Sequence, residues 1–197
     1  MTRKLALDDI ADARAYERER DSFRDHVIAL KKRRRVGVGP FVSFVFENRD
    51  TIRFQIQEMA RAERILTDEG IQTELDIYNP LIPEPGHLSA TMFIELTSKD
   101  ELETWLPKLV GIERAVELRI GDRVTVRAIP ESGHASQLTR DEVTASVHYV
   151  QFALTPEQIA AFADAGRVAL AIDHPDYQEV TELSEETRAE VLLDLRG

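Results

Sequence analysis

The sequence predicts an α+β fold: a mostly antiparallel, curled or barrel-like sheet with long helices packed on one face. Helical periodicity is concentrated before residue 70, and later helices occur singly between strands. Gly121-Asp122 separates two alternating segments as a tight hairpin turn. Strands are predicted in seven segments that are either continuously apolar or alternate between apolar and polar residues: 41–46, 74–78, 88–97, 113–120, 123–129, 144–153 and 167–172.

Length and composition favour one folded unit. A chain of 197 residues, 43% of them hydrophobic, can bury a core of its own. We therefore predict a single domain over 1–197, built from an N-terminal helix (1–35), an α+β core (36–172) and an acidic C-terminal segment (173–197). The chain has no cysteine, so an iron–sulfur cluster held by thiolates would have to belong to a partner.

Membranes and nucleic acids are not expected as partners. No stretch approaches the roughly 18 consecutive apolar residues of a membrane span, and no signal-peptide pattern opens the chain, which predicts a cytoplasmic location. The net charge of −11 disfavours contact with phosphate backbones. The exception is the basic run, Lys31–Arg35, which we interpret as a solvated helix end. An acidic partner or a phosphate ligand remains the alternative.

The N-terminal helix carries a narrow apolar seam. Residues 8 to about 33 have helical periodicity, with Tyr16, Phe23, Val27 and Leu30 on one stripe. Such a seam on a charged helix packs either across the same domain or against a second chain, and the first is the more common arrangement. We call these four side chains the seam.

A central helix is predicted to follow the strand 41–46 and to end at Gly70, a favourable residue just beyond a helix C-terminus. At about 100° per residue, Glu63 projects only about 20° from Ile52, in the middle of the apolar arc. The sequence therefore predicts that Glu63 is buried. A buried carboxylate needs a cationic partner, a ligand or a proton, unless the helix is irregular there.

The rest of the chain reads as strands joined by single helices. A short strand at 74–78 leads into a rigid, proline-rich loop at 80–87. Helices are predicted at 99–110 and from Pro156 to Gly166, and a polar loop at 131–141. The acidic C-terminal segment can form an amphipathic helix over 182–195.

The candidate site combines carboxylates with arginine, amide and phenol groups. No nucleophile elbow and no pair of histidines at helical metal-ligand spacing is present. The set could bind a metal through oxygens, with Glu58, Glu63 and Glu74 as ligands, or bind a polar small molecule. It could also be a buried polar network that stabilises the fold. No particular cofactor is indicated. The central helix and the segment after it supply the residues: Arg53, Gln55, Gln57, Glu58, Glu63, Glu74, Tyr78 and Asn79.

Several runs of sequence resemble an uncharacterised bacterial family that carries only a domain-of-unknown-function label. The resemblance implies a redox or peroxide setting, because genes of that family lie beside rubrerythrin-like proteins and iron–sulfur oxidoreductases. His87 and His148 depart from the family pattern, in which Glu and Gln are expected. The runs are Val38–Phe41, Phe46–Thr51, Gln55–Met59, Arg61–Arg64, Tyr78–Pro83, Leu88–Thr91 and Leu118–Asp122.

Three hypotheses about function follow. The first, which the resemblance favours, is an accessory protein that binds an iron–sulfur oxidoreductase or a rubrerythrin-like protein and has no redox centre of its own. Its docking surfaces would be the seam, the basic run and the acidic C-terminal segment. The second is a carboxylate-based metal or small-molecule-binding enzyme centred on Glu58 and Glu63. The third is a binding module that uses the basic run to hold an acidic or phosphate ligand.

Overall fold

The computed structural model describes residues 4–131 and 143–197, and it confirms the α+β class. In the described residues no helix is long and apolar enough to cross a membrane. The polar loop predicted at 131–141 lies, apart from Glu131, outside them. The strands are β1 (Arg35–Val38), β2 (Val42–Phe46), β3 (His87–Ile94), β4 (Val116–Ile120), β5 (Val124–Arg127), β6 (Ile129–Pro130), β7 (Val147–Ala153), β8 (Val168–His174) and β9 (Tyr177–Glu182).

Helices precede, separate and follow the strands. Most begin at a side-chain cap: Asp12, Asn48, Thr67, Ser98, Thr155 and Ser184 each accept a hydrogen bond from a backbone N–H of the first turn. The helices are α1 (Ala13–Arg34), α2 (Arg49–Glu63), α3 (Asp68–Tyr78), α4 (Lys99–Trp105), α5 (Pro156–Asp164) and α6 (Glu185–Arg196).

The strands form two antiparallel sheets that do not close into a barrel. The five-stranded sheet has the order β1-β2-β3-β7-β6, and the four-stranded sheet has the order β5-β4-β8-β9. The predicted hairpin at Gly121-Asp122 joins β4 to β5. The phenol of Tyr177 in β9 donates to the Val38 carbonyl of β1 at 2.7 Å, which ties the two sheets together at one edge.

The main core lies between the sheets. Alternate residues of β2, β3, β4 and β8 enter it, as the period of two requires. Phe44, Met92 and Phe152 of the five-stranded sheet belong to the same buried cluster as Leu118 and Leu170 of the four-stranded sheet, and all five are fully buried.

The opposite face of the five-stranded sheet is polar, and a smaller apolar cluster lies over it. That cluster unites Ile52 and Ile56 of α2 with Leu75 of α3 and includes Tyr149 of β7 at its edge. The seam packs within the chain, since α1 lies against α2 and Tyr16, Val27 and Leu30 are buried. The long helices therefore cover one face of the sheet, as predicted.

Two predicted boundaries near the central helix are wrong. The segment 74–78 is part of helix α3 and not a strand. Its alternation is real, but Ile71, Leu75 and Tyr78 also recur at helical spacing and pack with the smaller cluster, while the Thr67 cap starts the helix. The central helix ends at Glu63 instead of Gly70, because Arg64 adopts a left-handed conformation with φ of 56°.

The C-terminal segment is integrated into the fold. Tyr177–Glu182 forms β9, an edge strand that the sequence did not reveal, and it pairs with β8. Helix α6 buries Val191 and Leu195 in the main core. The second unforeseen strand, β1, lies between the predicted N-terminal helix and the predicted strand 41–46, and it pairs with β2.

Candidate functional site

The predicted site residues are divided among three places. Glu58 faces α1, where Arg20 donates two hydrogen bonds to it at 2.8 and 2.9 Å and the Tyr16 phenol donates a third at 2.8 Å. The bond from Arg20 holds the pKa of the Glu58 carboxyl below its usual range, and burial raises the pKa of the Tyr16 phenol. Both Glu58 oxygens are thus engaged by α1.

Arg53 also joins α2 to the N-terminal part of the chain. Its Nε donates to the Asp9 carbonyl at 2.8 Å, and its Nη2 donates to the Glu19 carboxylate at 2.7 Å. The guanidinium lies over the Phe23 ring, 4.6 Å from the centroid, which adds a cation–π contact. These contacts hold the segment before α1 against α2.

Gln57 and Asn79 fasten the N-terminal segment through paired backbone hydrogen bonds. The Gln57 amide accepts from the Ala11 N–H at 2.7 Å and donates to the Ala11 carbonyl at 3.2 Å. Asn79 does the same with Leu5, accepting at 2.8 Å and donating at 2.9 Å. Each side-chain amide hydrogen-bonds the backbone N–H and carbonyl of this segment, as a neighbouring strand would. The role of both amides is therefore structural.

The structure brings four of the predicted residues together between α2 and α3: Gln55, Glu63, Glu74 and Tyr78. Burial raises the pKa of the Tyr78 phenol, and a hydrogen bond with Gln55 offsets part of that effect. Glu74 is only 8% exposed, and its carboxyl pKa is raised first by burial and then by the nearby Glu63 charge. No cation pairs with Glu74 in the described part of the chain.

The predicted burial of Glu63 is wrong, because its side chain is exposed. The helical arithmetic is correct, but the buried strip of α2 runs through Ile52, Ile56 and Ala60 and stops there. Glu63 lies one turn beyond Ala60, and Arg64 then turns the chain away in its left-handed conformation. The last turn of the helix therefore projects past the core.

The carboxylates proposed as metal ligands are not assembled. Glu58 faces α1 and is bound by Arg20, whereas Glu63 and Glu74 lie between α2 and α3. Across residues 4–131 and 143–197, no group of three or more His, Asp or Glu side chains could hold a metal ion.

A polar layer on the outer face of the five-stranded sheet was not foreseen. The Thr91 hydroxyl donates to the buried Glu47 carboxylate at 2.6 Å. Burial raises the pKa of the neighbouring Tyr149 phenol, and the Tyr78 and Glu47 charges add to that effect. The sequence signal for this layer was the alternation of side chains between the two faces of the sheet. It continues beyond β2 and places Glu47 on the face opposite that of Phe46.

Three of the five cations of the basic run form ion pairs within the chain. Arg34, 2% exposed, donates to Asp194 of α6 at 2.7 Å and lies 3.4 Å from the Glu190 carboxylate. Arg33 donates to the same Glu190 at 2.8 Å, and Arg35 pairs with Glu95. The interpretation as a solvated helix end is therefore wrong for Arg34. The acidic segment and the basic run bind each other.

Beside the candidate residues lies a partly open cavity of about 600 Å³ where α1, α2 and α3 meet. Its walls come from positions 7 to 17, from the C-terminal turns of α2, from the α2–α3 loop and from the start of α3. Ile10, Ala60 and Ile71 contribute apolar surface, and Tyr16 and Gln57 contribute polar groups. We call it the helical cavity.

Comparison with known proteins identifies a family but no activity. A family described as "Protein of unknown function (DUF3501)" matches residues 4–195. A crystal structure of a protein of unknown function from Burkholderia pseudomallei is 37% identical, covers 98% of this chain and 99% of its own, and has a TM-score of 0.89. No curated protein matches the chain.

Proposed function

The chain belongs to the DUF3501 family of proteins of unknown function, and we propose that it binds a small organic molecule in the helical cavity. The observation that carries this proposal is the cavity itself. Its volume of about 600 Å³ falls in the range of roughly 300–1,000 Å³ that is typical of small-molecule sites. Its lining combines apolar side chains, which can receive the body of a ligand, with polar and charged ones, which can orient it.

The proposal keeps the small-molecule hypothesis but moves its centre away from the carboxylates. Glu58 accepts hydrogen bonds from Arg20 and from Tyr16, and Tyr16 lines the cavity. The role of Glu58 is therefore to hold the Tyr16 ring in place at the wall. Gln57 combines two tasks, since it lines the cavity and binds the backbone of Ala11 on the opposite wall.

A fluorescent apolar dye tests the proposal. We expect phenylnaphthylamine to bind the wild-type protein saturably, with one dye per chain. Ala60→Phe should abolish that binding, because Ala60 is 8% exposed and lies in the cavity wall. Ala62→Phe is the matched control on the same helix, since Ala62 is exposed and does not line the cavity.

Two results would overturn the proposal. One is the absence of saturable binding by the wild-type protein. The other is equal binding by the Ala60 and Ala62 variants when both have native circular dichroism spectra. If Ala60→Phe does not fold, amide chemical shifts of the wild-type protein decide. Dye-induced shifts must cluster at Ala13 and from Thr67 to Ile71, and shifts elsewhere count against the cavity.

The accessory-protein hypothesis is a second candidate, and an exposed sheet face supports it. The seam packs on α2, and Arg33, Arg34 and Arg35 of the basic run are paired within the chain, which favours the exposed part of the acidic C-terminal segment as a partner's surface. The outer face of the four-stranded sheet carries Val180, 59% exposed, beside the exposed Thr125 and Glu182. A shallow groove of about 510 Å³ runs along this face.

Co-expression tests the second candidate. The iron–sulfur oxidoreductase or the rubrerythrin-like protein should be retained with the chain at low salt. Val180→Asp should release it, whereas Leu193→Asp should not, because Leu193 is equally apolar and 65% exposed but lies on α6. Retention that neither variant affects would exclude this face. Failure to retain either protein would remove the hypothesis.

A further inference from the structure

We infer that the ligand of the helical cavity is uncharged: a molecule with an apolar body whose polar group, where it has one, is neutral, such as an alcohol or an amide. This inference rests on the proposed function and specifies its ligand class. It follows from where the charges of the cavity lie, because they are balanced at an exposed rim while the buried floor is neutral.

The ionised side chains of the lining lie at the rim and balance each other. All six are exposed, and three carry each sign. Arg61 lies 3.2 Å from the Glu17 carboxylate. A rim of equal and opposite charges in contact with solvent gives neither an anion nor a cation a net attraction. The six side chains are those of Asp12, Arg14, Glu17, Arg61, Arg64 and Asp68.

The helix ends that meet at the rim are also neutralised locally. Helix α1 begins after Asp12, which accepts the Ala15 N–H at 2.8 Å, and α3 begins at Asp68. Both carboxylates offset the partial positive charge of a helix N-terminus. Helix α2 ends between Arg61 and Arg64, whose cations offset the partial negative charge of a helix C-terminus. None of these three helix ends therefore attracts an ion.

The floor of the cavity offers hydrogen bonds but no charge. We use the name floor for the three buried side chains of the lining, Tyr16, Gln57 and Ala60. Gln57 binds the Ala11 backbone with one N–H at 3.2 Å and with its carbonyl oxygen at 2.7 Å. A side-chain amide has two N–H groups and two oxygen lone pairs, so one of each remains for a neutral polar group.

The Glu58 carboxylate behind Tyr16 is already neutralised. It accepts one hydrogen bond from Tyr16 and two from Arg20, and neither Glu58 nor Arg20 lines the cavity. An ionised ligand on the floor would therefore lose water from its charge without gaining an opposite charge, whereas a neutral ligand avoids that cost. The apolar surface of Ile10 and Ile71 can receive the body of either ligand.

The experiment compares three ligands that share a naphthalene ring and differ in charge: naphthamide, naphthoate and naphthylmethylammonium. Each is titrated against phenylnaphthylamine bound to the wild-type protein at physiological salt, and the fluorescence of the dye reports its displacement. We expect naphthamide to displace the dye at a concentration about tenfold lower than either ion requires, since each ion leaves its charge unpaired on the floor.

A charge placed on the floor should change that order. Gln57→Glu keeps the shape of the side chain and makes the floor negative, so naphthylmethylammonium should bind severalfold more tightly and naphthoate more weakly. Gln72→Glu is the matched control, because Gln72 is exposed on α3, changes the net charge equally and does not line the cavity. This control should leave the order of the three ligands as it is in the wild-type protein.

The results separate this inference from the proposed function. Either ion binding as tightly as naphthamide overturns the inference and leaves the small-molecule proposal standing, and so does the failure of all three ligands to displace the bound dye. Equal effects of Gln57→Glu and Gln72→Glu also overturn it. If Gln57→Glu does not fold, the order of the three ligands on the wild-type protein decides. If phenylnaphthylamine itself does not bind saturably, both proposals fall.

Discussion

Replacing Arg34 by methionine should be among the most damaging single substitutions in the described part of the chain. The guanidinium is 2% exposed and pairs with Asp194, whose side chain is 10% exposed, so methionine would break a mostly buried ion pair. Removing one member of a buried pair costs about 3–5 kcal/mol. For a domain of this size, 1 kcal/mol corresponds to roughly 2–4 °C, so the melting temperature should fall by roughly 6–20 °C.

The neighbouring residue supplies the control. Arg33 pairs with Glu190 at 2.8 Å, but its side chain is 34% exposed, and exposed ion pairs contribute about 0–1 kcal/mol. Arg33→Met removes the same charge from the same helical turn and should shift the midpoint of urea unfolding only slightly. The denaturant slopes of both variants should match the wild type if only stability changes.

A double variant separates the ion pair from simple loss of packing. Arg34→Met combined with Asp194→Leu removes both charges and should recover most of the lost stability, because a buried pair replaced by apolar side chains is often neutral. If Arg33→Met and Arg34→Met lowered stability equally, or if the double variant were no better than Arg34→Met, the assignment of Arg34 as the anchor of α6 would be refuted.

Three further predictions concern exposure, helix contact and pH. Glu63→Ala should shift the melting temperature by less than about 2 °C, because the side chain is exposed; a shift as large as that of Arg34→Met would restore the buried interpretation. Glu58→Ala should lower the midpoint of urea unfolding, since it removes the hydrogen bonds that Arg20 and Tyr16 of α1 donate to α2; no loss would mean that this contact is not formed in solution. Burial lowers the pKa of His148, so the unfolded chain takes up the proton first as the pH falls through about 6.5, and the stability present above that pH declines. His148→Gln should remove that decline and the exposed His26→Gln should not, whereas equal pH profiles for the two variants would contradict the assignment.

The sequence by itself determined those features that depend on near neighbours in the chain. Apolar or alternating patterning located strands β2, β3, β4, β5, β7 and β8 to within a few residues, and the predicted helix starts at 99 and Pro156 are correct. The family resemblance also rests on contiguous runs, and the DUF3501 match confirms it. Such signals survive because each element's period and its caps are encoded within one short window.

Local pattern misled where two periods fit the same residues. Leu75 and Ile77 alternate as in a strand, whereas Ile71, Leu75 and Tyr78 recur at helical spacing, and contact with the smaller apolar cluster decides for the helix. The prediction that Glu63 is buried was wrong for a related reason. Periodicity shows which face of a helix is apolar, but it does not show how far along the helix the elements packed against that face extend. Only the packed structure shows that the buried strip ends at Ala60.

The features on which the proposed function rests were decided by tertiary structure alone. Arg34 and Asp194 are 160 residues apart, so no local window could show that the basic run and the acidic segment neutralise each other. The helical cavity forms between positions 7 to 17 and the α2–α3 loop some fifty residues later. Its volume depends on how far apart the packed backbones lie, which no short stretch of sequence encodes.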